Sequence, residues 1–259
     1  MFATRPAVPV PSRTPFTAPT LWMHGPLAGD EPFSADVECL KWQAYLALRG
    51  LRNIHLRTDI SPAGARDARL PNLLASQDTL LPAQHIPQWA DEQTAPDTDP
   101  LEGYADAAAR DESRAWVALL ESTVHAALLA AAPTPSYLAS LLSLSPPPAA
   151  PLQTILTPPL APLTGFASLL PPSGIRVSTS TIFSQYRDAI TALTERLGTD
   201  KWFLGSSNPT PLDALAFAYL HAIVLSTNSN LRIQVTRRVN LVAWEWRVRE
   251  LVRTAFVLP

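Results

Sequence analysis

Thr210-Pro211-Leu212-Asp213 opens a helix that is apolar on nearly every side. Leu212, Leu215, Ala216, Phe217, Tyr219, Leu220, Ile223 and Val224 leave no polar face between them. A helix of that kind must sit at the centre of its domain, with other elements packed around it. Its buried start needs internal partners for the free amides of the first turn. The four residues supply them as a capping box. The Thr210 hydroxyl accepts from the amide of Asp213, and the Asp213 carboxylate reaches back to the amide of Thr210. Pro211 at the first helical position forfeits no needed hydrogen bond. Asp213 also meets the positive end of the helix dipole. The run from Leu212 to Leu225 is too short for a membrane span and contains Asp213 and His221.

Proline sets the second constraint. The chain has 27 prolines in 259 residues and 9 glycines. Helix and strand interiors reject proline, so the excess is assigned to linkers and tails. Residues 1–19 hold Pro6, Pro9, Pro11, Pro15 and Pro19 and read as an extended tail, not as an amphipathic targeting helix. Residues 133–172 read as a proline-rich insertion, with a short helix over 137–142. The insertion carries no basic flank to support a PxxP ligand. The formal net charge is −2 and only 16% of residues are charged, so no strong field exists and a nucleic-acid partner is not expected. Cys39 is the only cysteine, which excludes an intrachain disulfide and any paired-cysteine zinc site. The five histidines show no metal-ligand spacing along the chain.

Residues 20–95 predict a β-α-β-loop-β-β-α module. Thr20 to His24 form the first strand. A helix follows, with Ser34 as its N-cap and Gly50 as its stop. Asn53 to Thr58 alternates in strand fashion, with Ile54 and Leu56 on one side and His55 and Arg57 on the other. The helical crossover predicts that these two strands are parallel. Leu73–Ser76 and Thr79–Leu81 then form a hairpin turning at Gln77-Asp78, and Ile86, Trp89 and Ala90 begin the last helix. Leu70-Pro71, directly before the third strand of such a module, suggests a cis peptide that turns the chain into the sheet; without that context it reads as an ordinary trans proline.

After a linker over 94–100, residues 101–259 predict an all-helical domain around the proline-rich insertion. A helix over 104–131 carries the stripe Trp116, Leu120, Val124, Ala127 and Leu128. Another begins near Thr181 and buries Ile182, Tyr186, Ile190, Leu193 and Leu197 before Gly198. A final helix over 230–252 carries the stripe Leu231, Val235, Val239, Val242 and Trp246. Its arginines read first as a solvated face and second as a surface for acidic lipid or a partner.

The capping box, preceded by Trp202-Phe203-Leu204-Gly205 and Pro209, resembles the C-terminal domain of glutathione transferase-like proteins. Residues 20–95 then resemble their thioredoxin-like domain, with Pro71 in the cis-proline position. That resemblance implies an α/β N-terminal domain followed by an all-α C-terminal domain. A transferase of this type needs a hydroxyl or thiol after the first strand to hold the glutathione thiolate. Ser34 is the positional candidate, and its role as a helix cap is the simpler one. Cys39 reads as a small packing residue more readily than as a nucleophile. The acid-serine pair that holds the γ-glutamyl group is replaced by Leu81-Pro82-Ala83-Gln84. No catalytic residue, cofactor or metal is therefore expected.

Within this superfamily the chain is more similar to the metaxin family. The resemblance rests on Cys39-Leu40-Lys41-Trp42 with Tyr45 one turn later and Gly50 beyond, on Leu21-Trp22-Met23-His24-Gly25, on Arg69-Leu70-Pro71-Asn72, and on the segment from Trp202 to Leu220. It is nearest the smaller, receptor-type subunit of the fungal mitochondrial sorting and assembly machinery. What this implies is a peripheral, non-catalytic subunit on the cytosolic face of the mitochondrial outer membrane. Its partners would be a β-barrel insertase, a second metaxin-like subunit and β-barrel precursors. The alternatives are a glutathione-dependent transferase and a non-catalytic assembly module like those attached to translation factors and tRNA synthetases.

Overall fold

The computed structural model describes residues 18–26, 32–60, 64–76, 79–94, 101–131 and 178–257. Residues 1–17 of the proposed tail, residues 95–100 of the linker, the hairpin turn 77–78, and the proline-rich insertion with its expected short helix lie outside them.

The N-terminal module is built as its periodicities dictate. Strand β1 (Thr20–Trp22) runs into helix α1 (Val37–Leu48) and then strand β2 (Ile54–Arg57). Ile54 and Leu56 are buried while His55 and Arg57 are half-exposed, the alternation of a strand with one covered face. β1 and β2 pair in parallel, which a hairpin cannot achieve and the α1 crossover can. β3 (Asn72–Ser76) and β4 (Thr79–Pro82) form an antiparallel hairpin, with β3 antiparallel to β1. Helix α2 (Ile86–Gln93) follows and buries Ile86, Trp89 and Ala90. The Leu70-Pro71 peptide is cis.

The helical part begins with α3 (Ala107–Leu119), capped by Asp106, whose carboxylate accepts from the Ala109 amide at 2.7 Å. The helix expected over 104–131 starts later because of this cap. It is also not uniform, since Leu120–Val124 widens into a π turn before α4 (His125–Ala131). Helix α5 (Thr179–Leu197) buries the five residues of its expected stripe, and Gly198 ends it at φ +51. Helix α6 (Pro211–Leu225) lies at the centre. It packs on α1 and meets α3 and two later helices, α7 (Ser229–Thr236) and α8 (Val239–Arg253).

Two expectations are corrected in this last region. The helix predicted over 230–252 is two helices with a break at Arg237-Arg238. The break turns α8 so that Leu241, Trp244, Val248 and Val252 are buried, while Val239 is 80% and Trp246 64% exposed. The C-terminal part is also not wholly helical. Phe256–Val257 form strand β5, parallel to β2 at the sheet edge, which gives the order β4-β3-β1-β2-β5.

Candidate functional site

The candidate site lies where β1 ends, α1 begins and the cis Leu70-Pro71 loop meets the β4–α2 turn. Its floor is the start of α1. Ser34 is expected there as the N-cap, but the structure places Asp36 in that role. The Asp36 carboxylate accepts from the Cys39 amide at 2.9 Å. Both residues carry an oxygen that can cap. Asp36 does so because its backbone is extended immediately before the first helical residue. Ser34 is buried instead and acts as a clamp. Its hydroxyl donates to the His24 carbonyl at 2.9 Å and accepts from the Asp36 amide at 3.2 Å. The backbone N–H of Ser34 donates to Oε1 of the buried Gln43, whose Nε2 donates in turn to the Pro32 carbonyl at 2.9 Å. Gln43 thus ties the entry loop to the helix, a role no local pattern announces.

Cys39 lies in the first turn of α1 with no exposed surface. Burial first, and the adjacent Asp36 charge second, push its thiol well above the usual range, outweighing hydrogen bonds from the His24 backbone and Ser34. A thiol kept protonated and covered is a packing group. His24, Asp36 and Cys39 bring a nitrogen, an oxygen and a sulfur within 4.8 Å of one another, a grouping that their spacing along the chain hides. A zinc ion would need the thiolate and a carboxylate free to ligate. Here the Asp36 carboxylate is engaged in capping, so this set serves as a helix-start clamp.

The other signature residues of α1 divide between core and cleft. Leu40 is buried under α6, and Tyr45 is buried with its hydroxyl pushed up to about 12 by desolvation. Trp42 packs edge-on to Tyr45 at 5.6 Å, and its indole N–H donates to Glu38 at 2.8 Å. Lys41 pairs with Glu38 at 2.7 Å and lies over the Trp42 ring at 5.0 Å. Glu38 and Trp42 form one wall of a cleft of about 560 Å³; Arg66, Arg69, cis Pro71 and Gln84 form the others. Asn72, fully buried at its rim, accepts from the Arg66 amide at 2.7 Å and donates to the Pro71 carbonyl at 2.9 Å, which holds the loop in place.

The capping box stands behind this site, at the start of α6. The Asp213 carboxylate accepts from the Phe203 amide at 2.9 Å, the Thr210 amide at 2.8 Å and the Thr210 hydroxyl at 2.7 Å. Pro211 occupies the first helical position. Burial nevertheless carries the Asp213 carboxyl up to about 6. Phe33, next to Ser34, inserts between α6 and α8. It sits 4.9 Å from the His221 ring and 6.2 Å from Phe217, with the Arg249 and Arg253 guanidinium groups over its ring. Phe33 therefore packs between the two halves of the molecule beside the start of α1.

The sheet order, the cis-proline loop and the capped central helix are features of one architecture. Residues 186–248 match the family model described as glutathione S-transferase, C-terminal domain. No curated protein matches the chain in sequence. Among solved structures, a GST-like protein from Pseudomonas syringae is similar over 93% of this chain and 70% of its own, with 11% identity and a TM-score of 0.55. A glutathione S-transferase from Methylobacterium radiotolerans, solved in complex with glutathione sulfonate, is similar over 92% of each chain, with 15% identity and a TM-score of 0.53. A glutathione transferase family member from Pseudomonas fluorescens with two glutathione molecules bound is similar over 94% of this chain and 95% of its own, at 11% identity and a TM-score of 0.51. At such identities the likeness is one of fold. The chain has a glutathione transferase-like fold, with a thioredoxin-like N-terminal region and a helical C-terminal region.

Proposed function

We propose that the chain is a non-catalytic subunit of the mitochondrial outer-membrane sorting and assembly machinery. In this reading it sits on the cytosolic face, binds the β-barrel insertase and a second metaxin-like subunit, and assists insertion of β-barrel precursors. The observation that carries the reading is the filled start of α1. Ser34 is engaged on both sides of its hydroxyl, and Cys39 is covered with its thiol held protonated. A site that activates a thiol needs a donor facing the bound sulfur, and neither side chain faces out. The Cys39-Leu40-Lys41-Trp42 and Tyr45 pattern supports the metaxin-like reading, with Lys41 and Trp42 joined through Glu38 at the cleft wall. No helix among the described residues is long and apolar enough to cross a membrane, so the reading attaches the chain through protein partners.

One observation favours a second reading, glutathione-dependent transfer: the cleft beside cis Pro71 has room for a ligand. Firm retention on immobilised glutathione with turnover of an electrophile would establish this second reading, and co-purification from detergent-solubilised mitochondria tests the proposal. Recovery of a β-barrel membrane protein with the tagged chain supports the proposal. Recovery of a tRNA synthetase or translation-factor complex instead, or of no partner at all, overturns it.

A further inference from the structure

The four large hydrophobic residues that are exposed among the described residues all lie on α7 and α8: Ile233, Val239, Trp246 and Leu251. The break at Arg237-Arg238 is the cause. It buries one apolar stripe of α8 on α6 and turns a second outward. Val239, Ala243 and Trp246 follow at a spacing of four and three residues, so they share one face. With Val242 they line a shallow depression of about 520 Å³, with Arg247 and Glu250 at its far end.

The charge around this face is one-sided. Residues 229–253 hold six arginines against two glutamates; Arg249 and Arg253 turn to Phe33, which leaves Arg232, Arg237 and Arg247 exposed with Glu250. One of the two glutamates, Glu245, is buried against His221. Arg237, two residues before Val239, and Arg232 on α7 are exposed. An apolar strip with an exposed tryptophan and exposed arginines has the chemistry of a side chain set that rests in a lipid headgroup layer. Tryptophan favours that layer, and arginines attract anionic lipid. The stripe runs two turns, about 10 Å, which suits shallow insertion.

We infer that the outward face of α8, centred on Val239 and Trp246, docks together with Arg232 and Arg237 directly on an anionic membrane surface. This goes beyond the assembly role, since it requires no protein partner. The test is flotation of the purified full chain with phosphatidylcholine vesicles and with an equimolar mixture of phosphatidylcholine and phosphatidylinositol. The chain floats with the mixed vesicles and not with phosphatidylcholine alone. Trp246→Ser weakens that binding on the order of tenfold. Arg237→Gln weakens it about fivefold and reduces its salt dependence. Both positions are exposed, so both variants keep the wild-type far-ultraviolet circular dichroism. Failure to float with mixed vesicles overturns the inference, as does flotation that Trp246→Ser leaves unchanged. A concentration-dependent dimer that Trp246→Ser dissociates assigns the face to a second copy and also overturns it. Vesicle failure alongside recovery of a β-barrel partner from mitochondria removes this inference alone.

Discussion

Asp213 holds the central helix by three hydrogen bonds at the cost of being buried. Asp213→Ala strands the Phe203 and Thr210 amides away from water, and the expected loss is about 3 kcal/mol in a denaturant titration. The pH dependence has a definite sign. The folded carboxyl titrates at about 6, above its value of 3.8 in the unfolded chain. The folded state therefore holds the proton longer, and this group's contribution falls as pH rises from about 4 to about 6. Asp213→Asn abolishes that slope. Glu112 behaves in the opposite way. Arg196 grips both its oxygens, at 2.6 and 3.0 Å, and the Trp116 indole donates to it, so its carboxyl is lowered to about 2. Its contribution is complete above about 4.5 and is lost as pH falls toward 2, joining α3 to α5 less firmly in acid. Glu112→Gln gives an acid-unfolding curve shallower than wild type in that window. Because the pair is partly exposed, its effect at neutral pH is within about 1 kcal/mol.

Between elements, the contact most sensitive to substitution joins α6 to α8. His221 and Glu245, both fully buried, meet at 2.7 Å under the ring of Phe33. Glu245→Ala leaves the imidazole without this partner and is expected to destabilise by about 3 kcal/mol. The double replacement His221→Phe with Glu245→Leu recovers most of that loss, because this contact then holds no buried charge. Equal loss in both variants would mean that shape, not charge, decides the contact. The same pair of helices marks where pattern reading stops. The strands and α5 were legible because burial on one side imposes a single period, as Ile54 with Leu56 and Ile182 with Tyr186 attest. α8 offers two apolar stripes of similar strength, and only packing on α6 selects Leu241 and Trp244 over Val239 and Trp246. Arg237-Arg238 contains neither glycine nor proline, so nothing local signals the break. The capping box was legible from local chemistry alone, and cis Pro71 only from its place in the β-α-β-β-α module. The choice of Asp36 over Ser34 as cap was not, since both oxygens stand within one turn and backbone geometry decides.

Across the whole molecule, beyond the packing of α1 on α6, two further contacts join the halves among the described residues. Phe33 enters the helical part from the N-terminal loop, and β5 returns from α8 to the edge of the N-terminal sheet, opposite Ile54 and His55. Two residues are too short a run to carry strand periodicity, so this return was invisible in sequence. The double connection makes the start of α1 part of a continuous core, with Ser34, Gln43 and Cys39 all buried in it. The proposed non-catalytic role requires that buried Ser34 and Cys39 leave a bound thiol un-ionised. Titrating glutathione into the purified chain at neutral pH, and following thiolate absorbance in the ultraviolet, tests it directly. The expected result is the absorbance of free glutathione at every protein concentration. A saturable thiolate signal that disappears in Ser34→Ala or Cys39→Ser would contradict it.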